Sequence, residues 1–229
     1  IGAEINVGVA GSELVGLVPL EAMLMAADYY MQKENLFLID EEQKIKLVIE
    51  RMGLNSISKF DPKKRVIEYL IDEGRNEPLA SLTLRGFIEE IAARTSAPGG
   101  GSASAAIAAI GTGLGCMVAQ LTYGVRKFEN VEPQMRQIIP VLNQATMDLI
   151  PMVDADTNAF NDYMDALRLP KTSDEEKAIR TAAMQDGLKK AIEIPFKTMT
   201  LGDAAWDNMI EIAKYGNIAS KSDVEVGAR

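Results

Sequence analysis

The segment Ser96-Ala97-Pro98-Gly99-Gly100-Gly101-Ser102-Ala103-Ser104-Ala105 separates two helical patterns, and the rest of the chain is arranged around it. Pro98 fixes its own φ and disfavours the helical region for the residue before it, so the preceding helix is expected to end here. Ser102 is the predicted N-cap of the next helix, and the bare glycine backbone before it gives a ligand access to the helix N-terminus. The segment is therefore either a small-molecule site or a plain interhelical loop.

An uncharged run covers residues 97–125 and is long enough to be considered as a membrane span. Ala, Gly, Ser and Thr dominate the run. It contains few of the Leu, Ile and Phe residues that would favour insertion into lipid. Small residues let neighbouring backbones approach closely. We therefore predict the central helix of a soluble bundle, and we expect no membrane partner.

The charge balance and the single cysteine restrict the partners and the compartment. Among 229 residues, 24 Lys and Arg face 33 Asp and Glu, which gives a net charge of −9. This charge disfavours nucleic acid and anionic membranes as partners. Cys116 has no intrachain partner for a disulfide, and no signal peptide is visible, so we expect a cytoplasmic location.

The sequence contains no histidine. Ser-His and Cys-His catalysis and most zinc sites are therefore excluded within this chain, and we expect no metal. Acid–base chemistry falls to carboxylates, Lys, Tyr or Cys116.

The first part of the chain carries a mixed α/β pattern. Residues 3–18 are predicted to form a strand, a turn and a second strand. One helix is predicted from Pro19 to about Tyr30, and another from Asp40 to Gly53. We interpret residues 54–80, with their prolines, glycines and charges, as an interdomain connector.

From Ser81 onward the pattern is helical. A first helix carries an apolar stripe from Leu84 to Ile91 and is predicted to end at Pro98, and the uncharged central helix follows it. After a polar break over 126–131, a long helix is predicted over 133–167, with bends at Pro140 and Pro151. The next helix begins with a Ser173/Glu176 capping box, contains a Glu176–Arg180 pair and runs to about Ile194, and a last helix around Trp206 ends at Gly216.

One acidic residue interrupts the apolar stripe of the predicted 133–167 helix. The stripe contains Leu149, Val153, Asp156, Phe160, Tyr163 and Leu167. Asp156 is therefore expected to be buried, and its neighbour Asp154 to be more exposed. Burial disfavours the charged form of a carboxyl group, which would suit Asp156 to proton transfer. The alternative is a structural acid that is paired or capped in the core.

Five blocks of sequence resemble the formiminotransferase-cyclodeaminase family in register. They are SAPGGGSASA at 96–105, MVAQLTYG at 117–124, VDADTNAF at 153–160, LPKTSDEEK at 169–177 and GNIASKSDVEV at 216–226. The segments GSELVGLVP at 11–19 and FDPKKRVIEYL at 60–70 resemble the end of the formiminotransferase part and the linker that follows it. The resemblance covers nearly the whole chain.

The resemblance implies a mainly α fold, with a helical bundle of the cyclodeaminase/cyclohydrolase type after a fragment of an α/β, ferredoxin-like formiminotransferase subdomain. The implied boundaries are 1–53 for that fragment, 54–80 for the linker and 81–229 for a cyclodeaminase domain that lacks its last helices. The implied activity converts 5-formimino-tetrahydrofolate to 5,10-methenyl-tetrahydrofolate and ammonia. A tetrahydrofolate derivative is the implied substrate, no prosthetic group is implied, and a homo-oligomer is expected.

The resemblance also assigns residues. Asp156 matches the family's proposed catalytic aspartate, and supporting roles are implied for Asp154, Lys171 and Asp223. Folate binding is implied for Gly99, Gly100, Gly101 and Ser102 in the cyclodeaminase part and for Gly11 and Ser12 in the formiminotransferase part. The alternatives are a methenyltetrahydrofolate cyclohydrolase and a non-catalytic helical module that binds folate or mediates oligomerisation.

Overall fold

A computed structural model describes residues 11–71 and 77–229 of the chain. These residues belong to two compact units, Ile1–Asn76 and Glu77–Arg229. Each unit has a hydrophobic core of its own. We describe the units separately.

The first unit is built on two helices and two short helical turns, α1 (Leu20–Glu34), α2 (Glu41–Arg51), α3 (Pro62–Arg65) and α4 (Ile67–Ile71). The Asp40 side chain caps α2 by accepting a hydrogen bond from the Gln43 amide at 2.9 Å. Both helices begin where the sequence predicts. The helix α1 continues beyond Tyr30 to Glu34, and Asn35 ends it with a left-handed backbone at φ 53°.

The predicted strands are not formed in the described part of the first unit. Residues 3–10 lie outside the described residues, and residues 11–18 contribute a single parallel bridge between Val18 and Val66. The Val18 amide donates to the Arg65 carbonyl and the Val18 carbonyl accepts from the Ile67 amide. Valine-rich alternation predicts a strand only where a partner strand pairs with it over several residues.

The segment that we interpreted as a connector is part of the first unit up to residue 71. Leu54, Phe60 and Val66 are buried in one cluster with Met23 and Val48 of α1 and α2. The apolar patch around Val66 therefore belongs to a core rather than to a free linker. The expected connector over 54–80 is corrected accordingly.

The second unit is helical throughout its named elements. They are α5 (Leu84–Ile91), α6 (Gly100–Thr122), α7 (Glu132–Leu149), α8 (Met152–Arg168), α9 (Asp174–Tyr215) and α10 (Lys221–Gly227), with 3₁₀ turns at Arg126–Val131 and Ile218–Ser220.

The uncharged helix α6 is the central element of this unit, as the sequence predicts. It packs against α7, α8, α9 and α10. Its small residues allow the close approach: a Cβ at Gly111 would lie 2.7 Å from the Gly227 carbonyl oxygen of α10. By length and composition alone α6 could cross a membrane, with a mean hydropathy of 1.6, but core helices pass the same test.

Three helix boundaries differ from the predictions. The helix α5 ends at Ile91, well before Pro98. The predicted 133–167 helix is divided into α7 and α8 at Ile150 and Pro151, while Pro140 is accommodated inside α7. The helix α9 continues through Pro195 for 42 residues instead of ending near Ile194. Proline removes one backbone donor, and packing of α9 on α6, α7 and α8 outweighs that loss.

The N-terminus of α9 has the predicted capping box. The Ser173 hydroxyl accepts from the Glu176 amide at 3.1 Å, and the Glu176 carboxylate accepts from the Ser173 amide at 3.1 Å. The predicted Glu176–Arg180 pair is wrong, because the cap occupies the carboxylate. The Arg180 guanidinium instead donates to the Leu167 carbonyl at the end of α8.

Candidate functional site

A groove of about 740 Å³ lies in the second unit, where the N-terminus of α6 meets α8 and α9. Gly100 and Gly101 at the start of α6 and Asp156 of α8 form one side. The face of α9 around Trp206 forms the other. The lining residues are Gly100, Gly101, Ser104, Ala108, Asp156, Pro195, Thr198, Met199, Gly202, Asp203 and Trp206.

Asp156 of α8 caps the N-terminus of α6. Its Oδ2 atom accepts a hydrogen bond from the Ser102 amide at 3.0 Å. The first amides of a helix have no partner within the helix, and an acceptor from a second helix satisfies one of them here.

Ser102 is not the N-cap that the sequence predicts. The helix α6 begins at Gly100, Gly99 is its N-cap, and Ser102 lies within the first turn with its side chain fully buried. The Ser102 hydroxyl donates to the Val153 carbonyl at 2.6 Å and lies 3.1 Å from the Thr157 hydroxyl. The prediction is wrong because α8 supplies the acceptor that a local serine was expected to provide.

The second oxygen of Asp156 is available to a ligand. Oδ1 makes no hydrogen bond with any residue in 11–71 or 77–229, whereas Oδ2 is held by Ser102. A side chain on Gly101 would overlap this carboxylate, so glycine at 101 is what lets Asp156 approach the helix. Asp156 is half-buried, not fully buried as the sequence predicts, and it lines the groove. Its carboxylate therefore presents one fixed oxygen and one free oxygen there.

Asp154 is the buried member of the pair, contrary to the prediction. Asp154 is only 3% exposed to solvent. One carboxylate oxygen accepts from the Leu79 amide at 2.8 Å and the other from the Ala80 amide at 2.9 Å. Asp154 therefore fixes the segment before α5, and it does not line the groove.

The other residues assigned from the resemblance divide between the groove and other places. Gly100 lines the groove, and a side chain on it would meet open space. Gly99, Lys171 and Asp223 do not line it: Lys171 is exposed in the turn between α8 and α9, and Asp223 lies in α10. Their functional roles stay predictions.

Gly11 and Ser12 lie in the first unit beside the end of α2. The Ser12 hydroxyl donates to the Met52 carbonyl at 2.5 Å, and Gly11 lies against Ser56. These contacts fix the local backbone. Folate binding by the two residues stays a prediction.

Sequence reasoning missed the α9 side of the groove. Pro195, Thr198, Met199, Gly202, Asp203 and Trp206 follow helical spacing and share one face. The sequence predicts one helix that ends near Ile194 and a separate helix around Trp206, so it does not place these residues on one face. Trp206 is 47% exposed, and the spacing that links it to Pro195 was the signal available in the sequence.

No group of three or more His, Cys, Asp or Glu side chains arranged to hold a metal ion occurs among the described residues. The groove offers Asp156 and Asp203 as carboxylates and the backbone around Gly100 and Gly101. This arrangement can move a proton and recognise donor groups of a flat ligand.

Comparison with family models divides the chain into the same two parts. Residues 83–229 match the model described as formiminotransferase-cyclodeaminase, and residues 2–72 match the model described as the formiminotransferase domain.

Individual relatives agree with these matches. The formimidoyltransferase-cyclodeaminase of Dictyostelium discoideum is 56% identical over 228 residues, which cover 99% of this chain and 42% of that protein. The methenyltetrahydrofolate cyclohydrolase of Methylorubrum extorquens is 35% identical over 144 residues, 63% of this chain and 69% of that protein. A crystal structure of formiminotetrahydrofolate cyclodeaminase from Thermotoga maritima aligns with a TM-score of 0.55 at 28% identity, covering 64% of this chain and 69% of that one. The chain thus spans less than half the length of its Dictyostelium relative.

Proposed function

This chain belongs to the formiminotransferase-cyclodeaminase family, and from that premise we propose that its second unit is a cyclodeaminase, an ammonia lyase acting on 5-formimino-tetrahydrofolate. The products are 5,10-methenyl-tetrahydrofolate and ammonia. The observation that carries the proposal is the Asp156 carboxylate in the groove, with one oxygen held by the Ser102 amide and the other free.

The reaction requires one proton to move between two nitrogens of the substrate. Folate N10 attacks the carbon of the protonated formimino group, and the new C–N bond closes a five-membered ring. N10 then carries an extra proton, while the former imine nitrogen has become an amine. When that proton passes from N10 to the amine, the C–N bond to the amine breaks, ammonia leaves, and the methenyl cation remains.

The free oxygen of Asp156 is suited to carry this proton. A carboxylate accepts the proton from N10 and returns it to the leaving amine, so the residue ends as it began. The Ser102 amide fixes the orientation of the carboxylate throughout. The negative charge of the carboxylate also attracts the cationic formimino group.

The test is an assay of purified protein with 5-formimino-tetrahydrofolate. The methenyl absorbance and the released ammonia are both followed, with and without a metal chelator. We expect stoichiometric appearance of the two products and no effect of the chelator. Absence of both products from folded protein would overturn the proposal.

The similarity to a methenyltetrahydrofolate cyclohydrolase favours a second candidate activity in the same groove. In that reaction water attacks the methenyl carbon and the ring opens. The two activities change the methenyl absorbance in opposite directions, so the same instrument separates them. If only loss of the methenyl absorbance is seen, the cyclohydrolase is the activity. Folate binding without either change would indicate a non-catalytic binding module.

We further propose that the first unit is the C-terminal part of a formiminotransferase domain, in which Gly11 and Ser12 contact folate. Cytoplasmic location and assembly as a homo-oligomer are also proposed. Exposed apolar residues of the second unit, such as Leu84 and Ile107, favour burial against another surface. Light scattering of the purified protein measures the oligomeric state directly.

A further inference from the structure

The groove contains a second carboxylate, Asp203 of α9, that sequence reasoning did not identify. Asp203 is exposed and makes no hydrogen bond or ion pair with another residue of the described ranges. Two other acids of the same helix are paired: Asp186 lies 3.1 Å from Lys190, and Glu211 lies 2.8 Å from Lys214. Both oxygens of Asp203 are therefore available to a ligand in the groove.

The two carboxylates of the groove offer different numbers of free oxygens. Asp156 has one oxygen held by the Ser102 amide, and Asp203 has both free. A carboxylate with two free oxygens can accept two parallel N–H bonds from a planar donor pair. A carboxylate with one free oxygen is suited to a single contact or a proton transfer.

Trp206 follows Asp203 by three residues on the same face of α9, and both line the groove. Residues three apart on a helix are close neighbours. The indole of Trp206 is 47% exposed, so a flat ring has access to it. Stacking on aromatic side chains stabilises the binding of the flat bases of nucleic acids, and the same contact is open to other heteroaromatic rings.

A folate contains a ring that matches this pair of side chains. The pyrimidinone edge of a pterin presents a ring N–H beside an amino group, which form two parallel donors, and the ring system is flat. We propose that Asp203 and Trp206 form the subsite for the pterin ring, with Asp203 accepting from the ring N–H and the 2-amino group while Trp206 stacks on the ring. This proposal rests on the proposed folate substrate, and it leaves Asp156 to the formimino group.

The single tryptophan of the chain provides a direct measurement, because its fluorescence reports only on the groove. The full chain is titrated with 5-formyl-tetrahydrofolate, with free pterin and with p-aminobenzoylglutamate, and affinities are checked by calorimetry. We expect the folate and the pterin to quench the fluorescence. The p-aminobenzoylglutamate, which lacks the pterin ring, should leave it unchanged.

Two acidic residues of α9 provide a matched pair of variants. Asp203→Asn should weaken binding of the folate and the pterin by about tenfold or more, since one of two charge-assisted bonds is lost. It should raise KM for 5-formimino-tetrahydrofolate with a much smaller change in kcat. Asp207→Asn, on the same helix but outside the groove lining, should behave as the unaltered protein. Trp206→Leu should weaken pterin binding in calorimetry while the protein stays folded.

The outcomes separate this proposal from the proposed function. If 5-formimino-tetrahydrofolate is converted and Asp203→Asn leaves KM and pterin affinity unchanged, the subsite is refuted and the cyclodeaminase proposal stands. Quenching by p-aminobenzoylglutamate but not by pterin would also refute the subsite, since it would place the other end of folate on Trp206. If no folate is bound or converted, the proposed function fails, and the subsite fails with it.

Discussion

Asp154 and Asp156 are separated by one residue on α8, yet their carboxylates meet backbone amides of different segments. Asp154 accepts from two amides before α5, and Asp156 accepts from one amide at the start of α6. A buried carboxylate with both oxygens occupied by backbone amides has a structural role. A carboxylate with one oxygen free at a groove has the capacity for chemistry.

Asp156→Asn tests the chemical role of the free oxygen. The amide oxygen of asparagine can still accept from the Ser102 amide, so the cap on α6 is retained. The proton carrier is lost, and turnover of 5-formimino-tetrahydrofolate should fall by about 100-fold or more, with little change in folate binding. Asp156→Ala should also remove the cap and destabilise the fold by about 0.5–2 kcal/mol.

Steady-state kinetics and calorimetry on the two Asp156 variants check this expectation. An Asp156→Asn protein that melts at a much lower temperature, while its folded molecules turn over normally, would contradict it. In that case the residue is a structural cap alone.

Asp154→Asn should show the opposite behaviour. Asparagine can replace only one of the two acceptor oxygens, so the half-buried amide of Leu79 or Ala80 loses its partner. An unsatisfied donor that is fully buried costs about 1–3 kcal/mol of stability, and we expect a loss near the lower end for a half-buried amide. Denaturant unfolding should show this loss, and turnover per folded molecule should stay close to that of the unaltered protein. A large loss of turnover at unchanged stability would place Asp154 in the chemistry.

The sequence could indicate that an acid of this pair has a special position, but it could not order their burial. The predicted stripe ran continuously from Leu149 to Leu167, and the chain changes direction at Pro151, which shifts the phase of the pattern. Asp154 accepts its hydrogen bonds from two residues that are 75 and 74 positions away in the sequence. A contact at that separation leaves no trace in local periodicity.

The N-terminus of α6 shows how an element prepares a site. Gly101 lies against Asp156, where any side chain would overlap the carboxylate, whereas a side chain on Gly100 would meet open space in the groove. The adjacent glycines therefore have different roles. Gly100 gives a ligand access to the groove, and Gly101 lets α8 approach the start of α6.

Gly101→Ala and Gly100→Ala form a matched pair. Gly101→Ala must displace Asp156, so we expect loss of the cap, a lower melting temperature and a fall in turnover. Gly100→Ala should stay folded with nearly unchanged stability, and the larger Gly100→Val should weaken folate binding by filling the groove. Thermal unfolding and calorimetry distinguish the two positions. Equal loss of stability in Gly100→Ala and Gly101→Ala would show that the contact with Asp156 does not matter.

The N-terminus of α9 makes a pH-dependent contribution to stability. The amides of Ser173 and Thr172 donate to the Glu176 carboxylate and hold its pKa below the ordinary value of 4.5. A lowered pKa in the folded state means that this stabilisation is complete above pH 4.5 and is lost as the pH falls through the lowered pKa.

Glu176→Gln removes the titrating group while it keeps an acceptor for the cap. Unfolding free energies of this variant should depend less on pH below 4.5 than those of the unaltered protein. Urea denaturation at a series of acidic pH values measures the difference. Parallel curves for the two proteins would contradict the assignment.

The residues that line the groove all belong to the second unit. The cap on α6, the Asp154 contacts and the α9 face are also complete within Glu77–Arg229. The sequence predicted that the site and the first unit belong to different parts of the chain. It placed the boundary less well, because the prolines, glycines and charges that flank the buried apolar patch around Val66 resemble a connector in composition.

We therefore predict that a fragment of residues 77–229 folds and retains cyclodeaminase turnover within about threefold of the full chain, since distant, independent parts contribute nearly additively.

A shorter fragment, residues 83–229, contains the whole match to the formiminotransferase-cyclodeaminase model but lacks the Leu79 and Ala80 amides that donate to Asp154. The buried Asp154 carboxylate loses both of these amide donors in the shorter fragment, so the unfolding midpoint of that fragment should fall well below that of the longer one. Circular dichroism, denaturant unfolding and the methenyl assay on both fragments check the prediction, with Asp156→Asn in the longer fragment as the inactive control. Equal stability of the two fragments would show that the segment before α5 does not hold the unit together, and an inactive but folded longer fragment would show that the first unit takes part in the reaction.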